Sequence, residues 1–245
     1  MVVVGALAAS SSALAYRPPA HVLVQKAMEK QFERATHTVR VDMETQAYEI
    51  TGASKGVPVT ERWMFQAPGD VRKEIDLPEG QRVELRVDDK MIIKSAGQPD
   101  KAQRSPVDFL IDQVTAAPPL DDDRAAERWL HDMRVIGVNP EVVSFARFDG
   151  RVAYLIGSKP WETDKPQVWL DKDTLLVVRV VTIGKGDDGK PKRTDTRYLG
   201  WGSSIGGNWF PASIEVYSDD KLVKRSTVRN VEKGITFDAA TFTLR

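Results

Sequence analysis

The sequence predicts a mainly-β protein with some helix: one curled antiparallel sheet, an incomplete barrel of about ten strands, covered by about three helices. Three observations carry this. Strand-like runs with period-two alternation fill most of the chain, with turn residues about every eight to twelve positions. The connections between neighbouring runs are too short for crossover helices, so those strands pair antiparallel. Three segments show helical character instead, and a sheet of about ten strands has to curl, which gives them a concave side to cover.

Taken in order, the first helix is predicted over Pro18–Ala35, with Pro near its start where the missing N–H costs nothing. Val24, Met28, Phe32 and Ala35 form one apolar stripe there, with Lys26, Glu29, Lys30 and Glu33 off it. From Thr38 the period becomes two: Val39, Val41, Met43, Thr45 and Ala47 alternate with Arg40, Asp42, Glu44 and Gln46, a half-buried strand. Further strands are predicted over Val59–Gln66, which carries Trp63 and Phe65 on one face, over Val71–Asp76, around Val83, Leu85 and Val87, and over Met91–Lys94.

Ser95–Pro119 is rich in Gly and Pro and reads as irregular, apart from a short helix over Pro106–Val114 with Phe109, Leu110 and Ile111. Asp121, Asp122 and Asp123 then cap a helix reaching about Ile136, their carboxylates at its positive end. Ala126, Trp129, Leu130, Met133 and Ile136 give that helix a wide apolar side. Val142–Ile183 holds four short runs rich in β-branched and aromatic residues, split by Asp149-Gly150, by a Pro-containing loop and by Asp171–Thr174. Asp-Gly between apolar runs is a strong hairpin signal. Strands over Thr194–Gly200, Asn208–Ser218 and Leu222–Lys233 complete the series.

Composition narrows the function. Lys+Arg and Asp+Glu are balanced at 35 each, so the basic excess that phosphate contacts require is missing, which argues against a nucleic-acid partner. With no cysteine, disulfides, thiolate metal sites, Cys nucleophiles and an acylated N-terminal Cys are excluded. The uncharged run MVVVGALAASSSALA (residues 1–15) reads as an export signal ending in an A-x-A cleavage site before Tyr16. Residues 16–245 then form one exported domain with no lipid anchor, expected as a monomer in the periplasm.

Catalytic motifs fail on context. Gly202–Gly206 matches G-x-S-x-G, but a nucleophile elbow joins a strand to a helix and is followed by its His. Here a strand follows, and His21, His37 and His131 all precede Ser204. Gly184–Gly189 matches G-x-G-x-x-G, yet another strand follows, and Asp187 and Asp188 would repel phosphate. The histidines lack metal-ligand spacing, and no cofactor is implied. The six tryptophans are core residues or the lining of a ligand cavity.

Three segments resemble the periplasmic lipoprotein carriers of the LolA/LolB type and their outer-membrane lipoprotein-sorting relatives. They are Trp63–Pro68 with Arg72 beyond, Gln167–Asp171 through Arg179, and Thr227–Val231 leading to Phe237–Leu244. The resemblance implies an incomplete β-barrel of about eleven strands, closed by helices around an apolar cavity for lipoprotein acyl chains. It implies acylated lipoproteins or lipid as cargo, with an inner-membrane transporter as donor and an outer-membrane acceptor. Under it the candidate lining is Val41, Met43, Trp63, Phe65, Val83, Leu85, Phe109, Trp129, Met133 and Trp169. In the well-studied carriers an Arg directly before the Pro helps hold the lid closed; that position is Ala67 here, so the contact is either absent or supplied elsewhere, with Arg72 the gating candidate. A carrier needs an apolar hollow and a movable cover, and no acid, base or metal. The competing reading is a non-catalytic envelope sensor or scaffold with the same fold and a cavity plugged by its own side chains.

Overall fold

The computed structural model describes residues 17–32, 34, 37–48, 56–87, 90–104, 107–115, 122–186 and 188–243. The expected export segment, the stripe position Ala35, and Pro106, Pro118, Pro119 and Asp121 lie outside them.

Helix α1 (Ala20–Phe32) leads into a meander of six strands, β1 (Thr38–Ala47), β2 (Val57–Gln66), β3 (Asp70–Leu77), β4 (Gly80–Val87), β5 (Lys90–Ser95) and β6 (Lys101–Arg104). Helices α2 (Phe109–Val114) and α3 (Asp122–Val135) follow. A second meander comprises β7 (Val143–Phe148), β8 (Arg151–Ile156), β9 (Gln167–Asp171), β10 (Val177–Lys185), β11 (Pro191–Leu199), β12 (Ser213–Ser218) and β13 (Lys221–Lys233). The two meanders form one 13-stranded sheet in the order β6-β5-β4-β3-β2-β1-β13-β12-β11-β10-β9-β8-β7. They meet where β1 pairs antiparallel with β13. The sheet curls without closing.

This topology explains the helical layer. β6 and β7 follow one another in sequence but lie at opposite edges of the sheet. The chain between them must therefore cross the sheet, and it carries α2 and α3 over one face. α1 packs on α3 and α2, and α2 rests against β10. That face is the inner one. Its core takes Leu23, Val24 and Met28 from α1, Phe109 to Ile111 from α2, and Trp129 and Met133 from α3. Opposite them stand Val39, Val41 and Met43 of β1, Val168 and Leu170 of β9, and Val228 of β13.

Directly paired residues share a face, so the register extends the inner row. Val41 pairs with Trp63 and Val39 with Phe65; Trp63 pairs with Lys73 and Phe65 with Val71; Lys73 pairs with Glu84 and Val71 with Arg86. The inner face is thus apolar at the β1–β13 seam and carries charged side chains, Lys73, Glu84 and Arg86, on β3 and β4. The outer face carries ion pairs between neighbouring strands, among them Arg62–Asp42 at 2.9 Å, Arg225–Glu215 at 2.7 Å and Arg179–Asp195 at 2.7 Å. It also carries a small apolar cluster of Ala153, Leu155, Trp169 and Val178.

Three expectations shift. The strands number thirteen rather than ten or eleven: the runs marked in the sequence already amount to twelve, and Lys101–Arg104, in the stretch read as irregular, adds one more at the edge beside β5. That segment has no apolar alternation, so periodicity could not reveal it. The strand expected from Asn208 begins at Ser213, because Trp209 and Phe210 turn inward before it. α1 starts at Ala20, after Pro18 and Pro19.

Candidate functional site

A cavity of about 290 Å³ lies between the N-terminal end of α2 and the inner face. Trp63 and Lys73 form one wall, Val107 to Leu110 the cover, and Val180, Thr182, Thr196, Tyr198, Ile214, Val216, Lys224 and Ser226 the rest. The curl of the sheet brings β2 and β3 within reach of β10 to β13 around this space. A hollow of about 80 Å³ adjoins it, sharing Lys73 and Asp108 and adding Val71, Glu84, Arg86, Met91 and Ile111. On the outer face, a separate cleft of about 150 Å³ opens beside Phe148, Arg151, Val178 and Trp201.

Polar contacts fix α2 in place. Asp108 caps it, its Oδ1 accepting from the Ile111 N–H at 3.1 Å. Lys73 Nζ lies 3.7 Å from Asp108 Oδ2. Arg86 donates to Asp112 Oδ1 at 2.7 Å, and the Val177 N–H donates to Gln113 Oε1 at 2.9 Å. Asp112 is enclosed, and burial raises its carboxyl to about 6 despite the neighbouring Arg86 guanidinium. Burial, with Asp108 and Asp112 nearby, pushes the Tyr198 phenol well above its usual value.

A second polar group lies on the Trp63 wall. Glu61 is 1% exposed and accepts from Trp63 Nε1 at 2.9 Å and from Lys224 Nζ at 2.6 Å. Burial pushes its carboxyl up, but the Lys224 charge and hydrogen bonds from Lys224, Thr45 and Trp63 outweigh this and hold it below the usual range. Lys73 Nζ sits 3.8 Å from the centroid of the Trp63 ring, a cation–π contact.

Below the cavity the interior is filled with aromatic rings. Phe65 meets Trp209 edge-on at 5.6 Å, Trp63 meets Phe210 edge-on at 6.0 Å, and Trp209 stacks on Phe210 at 5.6 Å. Phe109 and Trp129 cross at 5.4 Å beneath α2 and α3. The turn that delivers Trp209 and Phe210 requires glycine at 206, where a Cβ would collide with the Phe210 carbonyl. This accounts for the second glycine of the G-x-S-x-G match. Ser204 is exposed on that turn, and the chain runs from it into the core and then β12, with no helix to make an elbow. Among the described residues no group of three or more His, Cys, Asp or Glu could hold a metal ion, and no helix is long and apolar enough to cross a membrane.

The predicted lining residues divide by face. Trp63 and Phe109 line the cavity. Val41, Met43, Phe65, Trp129 and Met133 stand on the same inner side but are packed into the core around it. Val83, Leu85 and Trp169 point the other way and need correcting. Val83 pairs with Glu74 and Leu85 with Arg72, one step out of phase with the inward Lys73 and Val71. Trp169 stands between inward Val168 and Leu170 and joins the outer cluster instead. Arg72 is outward too: Nε binds Glu74 at 2.8 Å and Nη1 donates to the Thr241 carbonyl at 3.2 Å. It holds the C-terminal segment against the outer face, not a lid over the inner one. The lining residues that sequence reasoning missed include Lys73 and Lys224, charged side chains at inward parity. Once the pairing register is known, that parity is their signal.

Fold and site together define a class: an open antiparallel half-barrel with helices across its concave side and a cavity beneath them, the architecture of LolA-type proteins. Among solved structures, the chain is similar in fold to a LolA superfamily protein from Nitrosomonas europaea, with a TM-score of 0.53 and 14% identity over 93% of this chain and 99% of that one. It is similar to a putative outer membrane lipoprotein-sorting protein domain from Vibrio parahaemolyticus, with a TM-score of 0.53 and 11% identity over 89% and 95% of the two chains. A DUF1329 family protein from Desulfovibrio piger gives a TM-score of 0.54 and 14% identity over 93% and 98%. Comparison of the sequence with family models finds no match, and neither does comparison with curated proteins.

Proposed function

We propose that the protein is a non-catalytic periplasmic carrier or chaperone that binds an acyl chain of a lipoprotein or other lipid beneath α2, for transfer toward the outer membrane. The observation that carries this is the cavity of about 290 Å³, with Trp63, Phe109, Leu110, Val180, Ile214 and Val216 in its walls. The fold it shares with the lipoprotein-sorting domain and the apolar N-terminal run support the export and transport parts of the reading. Each buried CH₂ contributes about 0.8 kcal/mol, so even a partly enclosed chain gains several kcal/mol on leaving water. Purified protein is expected to carry acyl chains detectable by native mass spectrometry. Ile214→Trp, which fills the cavity, is expected to lower binding of a fluorescent acylated peptide at least about tenfold. Equal binding by both proteins would sink the proposal.

The aromatic filling of the interior by Trp63, Phe65, Trp209 and Phe210 favours a second reading, a sensor or scaffold with a plugged cavity. That reading predicts no acyl chain in the purified protein and no effect of Ile214→Trp.

A further inference from the structure

The lysines of the cavity are not explained by an apolar tail, and its size limits the ligand. Lys73 and Lys224 both line it, and Trp63 and Glu61 link them. Lys73 lies over the Trp63 ring, Trp63 Nε1 donates to Glu61 Oε2, and Lys224 Nζ binds Glu61 Oε1. Each ammonium group has three donors; among the described residues Lys73 has an ion pair with Asp108 at 3.7 Å and Lys224 one with Glu61 at 2.6 Å, and Glu84 stands across from Lys73 on β4, on the side of the smaller hollow. The carboxylates are more fully engaged. Glu61 is 1% exposed and takes hydrogen bonds from three side chains, Lys224, Thr45 and Trp63, while Asp108 is committed to the cap of α2. Asp108 is the acid that an entering anion meets, but the spare hydrogen-bonding capacity in this wall is donor capacity. The space holds about ten water-sized groups at about 30 Å³ each, room for one chain and not several.

We propose that the cavity takes a single-chain amphiphile with an anionic headgroup, a carboxylate or a phosphate, its head at Lys73 and Lys224 and its tail against Trp63, Phe109 and Ile214. This rests on the acyl-chain reading above and specifies the ligand class. Charge-assisted hydrogen bonds stabilise the bound head more than neutral ones do. One such bond corresponds to about tenfold in affinity.

The test is calorimetric titration of the full chain, below micelle formation, with dodecanoate, dodecyl phosphate, dodecanol and dodecyltrimethylammonium. Dodecanoate or dodecyl phosphate is expected to bind about tenfold or more tighter than dodecanol, and the tighter of the two names the head. In Lys73→Met, and in Glu61→Gln/Lys224→Met, which removes the ion pair without stranding a buried carboxylate, that ratio is expected to fall toward one. Lys224→Arg keeps the charge and is expected to keep the preference. Thermal melts confirm that each variant is folded before titration. Dodecanol binding as well as the anions overturns the headgroup assignment and leaves the acyl-chain reading standing, as does a preference for dodecyltrimethylammonium. A preference that survives both lysine replacements overturns it as well. Failure of all four ligands to bind overturns both readings.

Discussion

Asp112 shows how a single buried group ties the cover to the sheet. Its carboxyl is raised from the ordinary 3.8 to about 6, burial outweighing the attraction of Arg86. Between these values the folded state holds a proton that the unfolded chain releases. The contribution of Asp112 to stability is therefore full below about pH 4 and is lost as pH rises through about 6, a change of at most about 3 kcal/mol. Asp195 works in the opposite sense. Burial raises its carboxyl, but hydrogen bonds and charge from Arg179 and Arg197 outweigh that and hold it below the usual value. Its contribution is present above about pH 4 and is lost on acidification. Because the two oppose each other, the Asp112 effect appears as a difference between proteins. Chemical denaturation of wild type and Asp112→Asn across pH 4 to 7 is expected to show a gap that changes most between about 4 and 6. A gap independent of pH would show that the carboxyl titrates normally.

At the scale of elements, α2 and the C-terminal segment occupy opposite faces of the first meander. α2 is short and depends on tertiary contacts for its stability. Its side chains Phe109, Leu110, Ile111 and Val114 are all buried, and Asp108, Asp112 and Gln113 anchor it to Lys73, Arg86 and the Val177 amide. The segment after β13 is held on the outer face by Arg72, whose guanidinium reaches the Thr241 carbonyl. Hydrogen exchange therefore distinguishes a tail clamp from a lid contact. Arg72→Ala is expected to speed exchange in residues 235–243 and leave α2 protection as in wild type. Faster exchange in α2 instead would restore Arg72 as a gating residue.

For the whole molecule, the decisive contact is the seam where the first and last strands pair, with Met43 opposite Val228 and Thr45 opposite Ser226. Closing this pair brings the ends of the chain together and is the long-range step that makes one sheet of two meanders. The edges contribute less, since β6 pairs with β5 alone. Val228→Asp, placing a charge in the buried inner row, is expected to cost several kcal/mol and abolish the cooperative melt. Lys101→Asp on edge strand β6 is expected to shift the melting temperature by no more than a few degrees. Similar effects of the two substitutions would contradict the central place given to the seam.

The sequence by itself determined most of the elements and the antiparallel character of the sheet. Alternation along Thr38–Ala47 and the Asp149-Gly150 turn are local signals, and the structure places strand and hairpin there. Periodicity separates the two faces of one strand but leaves open which of them is inward. Trp63 and Phe109 fall on the cavity wall, while Val83, Leu85 and Trp169, expected beside them, stand on the outer face. Only the tertiary structure decided that, because facing depends on register with a neighbouring strand and on the face over which α2 and α3 cross. The same holds for Lys73 and Lys224. They are ordinary surface residues to a sequence reader, and they become cavity residues because the curl of the sheet brings strands far apart in the chain around one hollow.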